Sequence, residues 1–275
     1  MCGIIGYIGD KPATPFLMDG LKRLEYRGYD SSGIAIRNGS LEIHKCAGKI
    51  GDLASILPDK IEGTVGIAHT RWATHGPPND ANAHPHCSVD GKIALVHNGI
   101  IENSRILRNR LEKEGVKLQS DTDSETLVHL IHREISNGSK PLTAVRRTLK
   151  RARGTWGLCA IFAEHDMIIC ARNGSPLVLG VGDGENWIAS DKLPLQAYTR
   201  NYTELEDGQF AVVTSDGYKI SGFDGRTTDS EITTIEDDWG EAELGDFPHY
   251  MLKEIHEQPD ALRQCLTGRL VLKDG

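Results

Sequence analysis

The sequence predicts an α+β chain in which antiparallel sheets are covered by helices. Hairpin signals recur along it, which implies antiparallel pairing, and helix-period stretches fill its middle. Its 275 residues, 39% hydrophobic and 25% charged, are enough to bury a full core.

The chain opens Met1-Cys2-Gly3-Ile4-Ile5-Gly6-Tyr7-Ile8-Gly9, which reads as a first strand. Removal of Met1 would leave Cys2 with a thiol and a free α-amine on one residue. An α-amine titrates at about 8 and a thiol at about 8.5, so the amine can take the thiol proton without a separate histidine. By position alone, a cysteine after methionine is equally an ordinary strand residue.

Phe16, Leu17, Leu21 and Leu24 then recur at helical spacing. The loop that follows, residues 24–33, holds Arg27 and Asp30, expected to pair and support the backbone near the amino terminus. Residues 34–37 and 40–43 around Asn38-Gly39 read as a hairpin on a type I′ turn.

Two strands carry polar residues to their ends. Residues 64–68 lead into His69-Thr70-Arg71-Trp72-Ala73-Thr74-His75-Gly76. An arginine at a strand exit can grip a carboxylate with two parallel hydrogen bonds. Thr74 and His75 would add donors and Trp72 would exclude water; a surface arginine beside a half-buried tryptophan explains the same residues. Residues 92–97 lead into Asn98-Gly99, whose side-chain amide and backbone N–H are two neutral donors for one developing oxyanion. Asn-Gly is also the commonest hairpin turn, but the sequel reads as a helix from Asn103 rather than a returning strand.

Ile106, Leu107 and Leu111 mark that helix, and Leu127, Leu130, Ile131 and Ile135 mark the next. Thr122 and Glu125 fit a capping box ahead of the second. Asp123 is then a first-turn acid, oriented by the helix dipole and able to bind an ammonium group. Leu142, Val145, Leu149 and Ala152 line one side of a further helix, whose arginines read as a solvated face. Residues 156–162 with 167–171, and 212–215 with 218–220 around Asp216-Gly217, are two more antiparallel pairs. From Asp224 to Asp246 nine acidic residues stand against one arginine, the pattern of a linker or surface arm.

A net charge of −8 argues against nucleic acid or an anionic membrane surface as a partner. Six dispersed cysteines, with no signal peptide ahead of them, point to a reducing, cytoplasmic compartment. Cys159 and Cys170 read as core residues, and Cys87 has no assigned role. The one metal-like cluster, His84-Pro85-His86-Cys87 with His75, has the spacing of no common zinc site, so no metal or other cofactor is expected.

Cys2-Gly3-Ile4, residues 24–33, 69–76, 97–103 and 121–125, taken together and in order, resemble the glutaminase domain of class II glutamine amidotransferases, which are N-terminal nucleophile hydrolases. The resemblance implies a four-layer α/β/β/α sandwich of two antiparallel sheets. It implies that Cys2 attacks the carboxamide of glutamine, that Asn98 and Gly99 hold the oxyanion, and that Arg71, with Thr74 and His75, binds the α-carboxylate. Asp123 would bind the α-ammonium, Trp72 would close over the site, and Arg27 would support it. Residues 71–76 and 253–259 look most like members that aminate fructose 6-phosphate to glucosamine 6-phosphate. The partners implied are therefore glutamine and ammonia-accepting sugar-isomerase domains that this sequence does not contain, with a homo-oligomer expected of the full-length enzyme. Residues 2–223 are expected to form the amidotransferase domain, 224–246 the acidic linker, and 247–275 the start of the connection onward. Two other readings are an amidotransferase feeding phosphoribosylamine, asparagine or glutamate synthesis, and a catalytically silent glutamine-binding regulatory domain.

Overall fold

Two sheets pack face to face because their central strands carry near-continuous apolar runs, such as residues 3–8 and 93–96, so that both faces of these strands are buried. The computed structural model describes residues 2–235 and 245–267. The chain divides into two compact units, residues 1–239 and 240–275.

Among the described residues of the first unit, one sheet has eight strands in the order β15 (Thr233–Thr234), β11 (Asn201–Glu204), β9 (Val178–Val181), β10 (Asn186–Ala189), β1 (Gly3–Ile8), β4 (Val65–Arg71), β2 (Ser31–Asn38) and β3 (Ser40–Ala47). The other has seven: β14 (Thr227–Thr228), β13 (Gly217–Ser221), β12 (Phe210–Thr214), β8 (His165–Asn173), β7 (Gly154–Phe162), β6 (Ile93–Ile101) and β5 (His86–Cys87). Every neighbouring pair of strands is antiparallel. On β1, Ile4 and Ile8 face the second sheet, where they meet Val96, Cys159 and Ile161. Ile5 and Tyr7 face the opposite way, onto Leu17, Leu21 and Leu24 of α1 (Ala13–Leu24) and Leu53 of α2 (Ile50–Ile56). Leu158, Ala160 and Phe162 of β7 pack outward onto α3 (Ser104–Lys113), α4 (Asp123–Ser136) and α5 (Pro141–Leu149). The result is a four-layer α/β/β/α sandwich.

The hairpins stand where the sequence puts them, with different turns. In β2–β3 Arg37 pairs with Leu41 and Asn38 with Ser40, so Gly39 alone forms the tip. Gly39 has φ +69° and among the described residues no non-glycine residue has positive φ, which excludes the type I′ turn expected at Asn38-Gly39. In β12–β13 Thr214 pairs with Gly217, which places Ser215 and Asp216 at the tip instead of Asp216-Gly217. Cys159 and Cys170 are fully buried cross-strand neighbours with sulfurs 3.6 Å apart. Much of the basic face of α5 and of the turn after it is tied down: Arg147 and Arg151 pair with Glu134, and Arg146 bonds Ser221 while lying over the Phe210 ring.

The acidic stretch from Asp224 begins inside this unit, where β14 and β15 each add a short edge strand. Its later part, residues 236–244, and residues 268–275 lie outside the described residues. The second unit contains α6 (Tyr250–Leu266), which carries residues 253–259. Among the described residues no helix is long and apolar enough to cross a membrane.

Candidate active site

Strand pairing brings the amino terminus to the exit of β4. Gly3 pairs with Thr70, so Cys2 lies beside Arg71, the last residue of β4. Only glycine fits at position 3, because a Cβ there would stand 2.8 Å from Thr70 Cγ2 and 2.9 Å from Leu24 Cβ. The backbone N–H of Trp72 donates to Cys2 Sγ at 3.2 Å. Burial pushes the Cys2 thiol above its usual range, although the Trp72 N–H and the Arg71 charge work in the opposite direction. A base is therefore needed to generate the thiolate at neutral pH.

Asn98 and Gly99 come from the other sheet. They are not a turn: β6 continues through both to Ile101, with Asn98 opposite Gly157 and Gly99 opposite Trp156. Gly99 has φ +132°, and a Cβ there would stand 2.2 Å from the carbonyl oxygen of Thr155. Both features demand glycine. The Asn98 amide crosses between the sheets and its Nδ2 donates to the Cys2 carbonyl oxygen at 3.1 Å. Its Oδ1 lies 3.0 Å from His69 Nε2.

Arg71 is buried, and one arm of its guanidinium donates to the carbonyl of His75. Its Nη1 is buried without a hydrogen-bond partner, which leaves half of a carboxylate-binding fork free. Thr74 Oγ1 and His75 Nδ1 are 3.4 Å apart at the rim. Trp72 is half-buried, edge-on to Tyr29 with ring centres 5.9 Å apart.

Asp123 is the first residue of α4, and its Oδ2 accepts from the N–H of Ile101 at 2.7 Å. Thr122 caps the helix as expected, accepting from Glu125 N at 3.3 Å. The reciprocal half of the box is absent. Glu125 instead accepts from Gln119 N at 2.7 Å and from Ser120 N and Oγ at 2.8 and 2.7 Å, which anchors the preceding loop.

Arg27 does not pair with Asp30. It reaches Asp191 at 3.0 Å and the carbonyl of Ser190 at 3.2 Å, beside the strand that flanks β1. Asp30 accepts from Ala73 N at 2.8 Å and so fixes the loop after Trp72.

A cavity of about 20 Å³ is lined by Cys2, Arg71, Trp72, Thr74, His75, Gly99 and Asp123, with His84, His97, Thr122 and Ser124 completing it. Every residue singled out from sequence for glutamine binding lies on it, and Asn98 reaches it through Cys2. His97, Ser124 and Thr155 were missed. His97 Nε2 faces the Thr155 carbonyl at 3.3 Å and its Nδ1 faces Ser124 Oγ at 2.8 Å. No sequence signal marks this group, because the partners lie on three separate elements.

A larger cavity, about 730 Å³, lies among Lys45, Cys87, Glu125, His129 and His132. Size does not decide between the two. Lys45 Nζ already donates to Ala83 O and Ala81 O, and Glu125 is held by the loop, whereas a thiol, a free arginine arm and a fixed carboxylate all face the small cavity.

Residues 69–197 match the family model described as a glutamine amidotransferase domain. The chain is 49% identical over its whole length to the glutamine–fructose-6-phosphate aminotransferase (isomerizing) of Chlorobaculum tepidum, of which it covers 46%. It is 48% identical to the enzyme of the same name from Thermus thermophilus, again covering 46%. The chain thus spans about half the length of these relatives. Among solved structures, the glutamine phosphoribosylpyrophosphate amidotransferase of B. subtilis matches with a TM-score of 0.71 and 27% identity, over 81% of this chain and 49% of that one. A sandwich that places Cys2 at the head of its central strand, a site that gathers an arginine, an amide donor and a carboxylate, and sequence identity along the whole chain all agree: the chain carries a glutamine amidotransferase domain and has the N-terminal nucleophile hydrolase fold of the class II amidotransferases.

Proposed function

We propose that this chain hydrolyses glutamine to glutamate and ammonia through a thioester on Cys2. The observation that carries the assignment is the convergence of Cys2, Arg71, Gly99 and Asp123 on one cavity, with the Asn98 amide 3.1 Å from the Cys2 carbonyl. Once Met1 is removed, the Cys2 α-amine takes the thiol proton and sulfur attacks the side-chain carbonyl carbon of glutamine. Asn98 Nδ2 and Gly99 N–H receive the negative oxygen of the tetrahedral intermediate. Collapse breaks the C–N bond, and ammonia leaves with the proton from the α-ammonium. Water, deprotonated by the same amine, then attacks the thioester and releases glutamate and the thiol.

Arg71 Nη1 supplies a donor for the α-carboxylate, supported by Thr74 and His75. Asp123, ionised at a helix start, supplies the countercharge for the α-ammonium. Trp72 bonds the nucleophile through its backbone while its ring closes the cavity, so movement of one loop couples substrate entry to the thiol. Arg27 supports the strand beside β1 from Asp191.

The relatives' names state the amination of fructose 6-phosphate. We assign the ammonia released at Cys2 to that reaction in a polypeptide of their full length, located in the cytoplasm. Identity of 49% with these relatives, against 27% with the phosphoribosylpyrophosphate enzyme, favours the sugar acceptor.

The test is glutamate release from glutamine by protein whose Cys2 amino terminus is confirmed by mass spectrometry. Turnover that disappears in Cys2→Ala is expected; absence of glutamate from correctly processed protein would overturn the assignment. For the acceptor, the full-length polypeptide should form glucosamine 6-phosphate from glutamine and fructose 6-phosphate.

A further inference from the structure

Asn98 can serve an oxyanion only if its amide faces the right way. The side chain has two orientations of nearly equal shape, and in the wrong one Oδ1 would confront the developing negative oxygen. Two neighbours choose between them. The Cys2 carbonyl can only accept, so the atom 3.1 Å from it is Nδ2. Oδ1 then lies 3.0 Å from His69 Nε2, which must carry the proton.

His69 lies on β4 with no exposed surface, and its Nδ1 is buried without a partner. Burial drives its pKa down to about 3, so the ring is neutral and holds a single N–H. That hydrogen goes to Asn98 Oδ1 at 3.0 Å, although the His97 carbonyl also faces the ring. The His84 ring stacks on His69 with centres 4.3 Å apart and planes 30° apart. His86 meets His84 edge-on at 4.5 Å, and His86 Nε2 lies 2.8 Å from Thr122 Oγ1, the cap of the helix that begins at Asp123. The His84 and His86 rings brace His69 between the Asn98 side of the site and the Asp123 side.

We propose that His69 is a positioning residue of the glutamine site: its Nε2–H holds the Asn98 amide with Nδ2 turned toward Cys2 and the bound carbonyl. The inference rests on Asn98 as an oxyanion donor. It makes His69 act on the tetrahedral intermediate through Asn98 alone, without touching substrate.

A double-mutant cycle on glutaminase activity tests it. Asn98→Ala is expected to lower kcat by about a hundredfold or more, and His69→Leu by roughly tenfold to a hundredfold with KM nearly unchanged. In the double variant kcat should stay within about threefold of Asn98→Ala, since the histidine has nothing left to orient. A multiplicative loss would overturn the proposal. Glutamine at position 69 places an amide nitrogen as many bonds from Cα as Nε2, whereas asparagine places it where Nδ1 stands. His69→Gln should therefore keep most of kcat and His69→Asn should lose it, an arm that holds even if the leucine variant does not fold. Equal activity in the two would also overturn the proposal. Unchanged kcat in Asn98→Ala would instead remove the oxyanion reading itself, and His69 would fall with it.

Discussion

Arg71 is held as half of a fork. One arm is committed to the His75 carbonyl and Nη1 is buried and free, so a substrate carboxylate meets a guanidinium whose plane is already set. Lysine would keep the charge but lose the fixed geometry and the bond to His75. Arg71→Lys is therefore expected to raise KM for glutamine by about tenfold to a hundredfold while kcat falls much less, as measured by steady-state glutamate release. Equal KM in the variant would remove Arg71 from carboxylate binding. At this scale Arg71, Asn98 and Asp123 were legible as chemical types at strand and helix ends. Their partners were not: Arg27 goes to Asp191 rather than to its sequence neighbour Asp30, because the strand beside β1 brings Asp191 across from a distant part of the chain.

At the scale of elements, β6 determines where the proposed oxyanion donors sit. Asn98-Gly99 reads locally as a turn, yet it continues a strand because β7 pairs with it along its whole length. Positive φ at Gly99 then serves close packing on Thr155 rather than a reversal of the chain. Gly99→Ala should be costly in both respects, since backbone strain alone costs about 1–3 kcal/mol and the Cβ would also displace Thr155. Calorimetry should show Tm lowered by roughly 5 °C or more, with glutaminase activity lost in the protein that remains folded. An unchanged Tm would mean that β6 and β7 can separate without penalty. The helix starts were more legible than the hairpin turns. Thr122 caps α4 through a local hydrogen bond, whereas the tip of β2–β3 is decided by the register that the whole sheet imposes.

At the scale of the molecule, the sandwich buries histidines where the two sheets and α4 meet. His69, His84, His86 and His97 are all buried, and burial lowers the pKa of each. Between the unfolded value of about 6.5 and these lower folded values, the unfolded chain binds more protons. Stability therefore rises with pH across that window and is lost as pH falls. Each such histidine contributes about 1.4 kcal/mol per pH unit of acidification where its ring stays neutral in the fold. Urea unfolding should give a clearly lower midpoint at pH 5 than at pH 7, and His84→Phe should flatten that dependence. A midpoint independent of pH would show that the rings are protonated in the folded state.

The sequence by itself determined the α+β class, the helices and most of the strands, the core placement of Cys159 and Cys170, and residues with the donor and acceptor chemistry of the candidate site. These follow from periodicity, capping and donor chemistry, which act over a few residues. Only the tertiary structure decided that Cys2 lies beside Arg71, that Asn98 reaches across from the second sheet, and that His69 stands 3.0 Å from its amide oxygen. Those contacts join positions separated by tens of residues and depend on strand order and register, which no local pattern specifies. Strand pairing therefore puts Cys2 where the proposed nucleophile is needed.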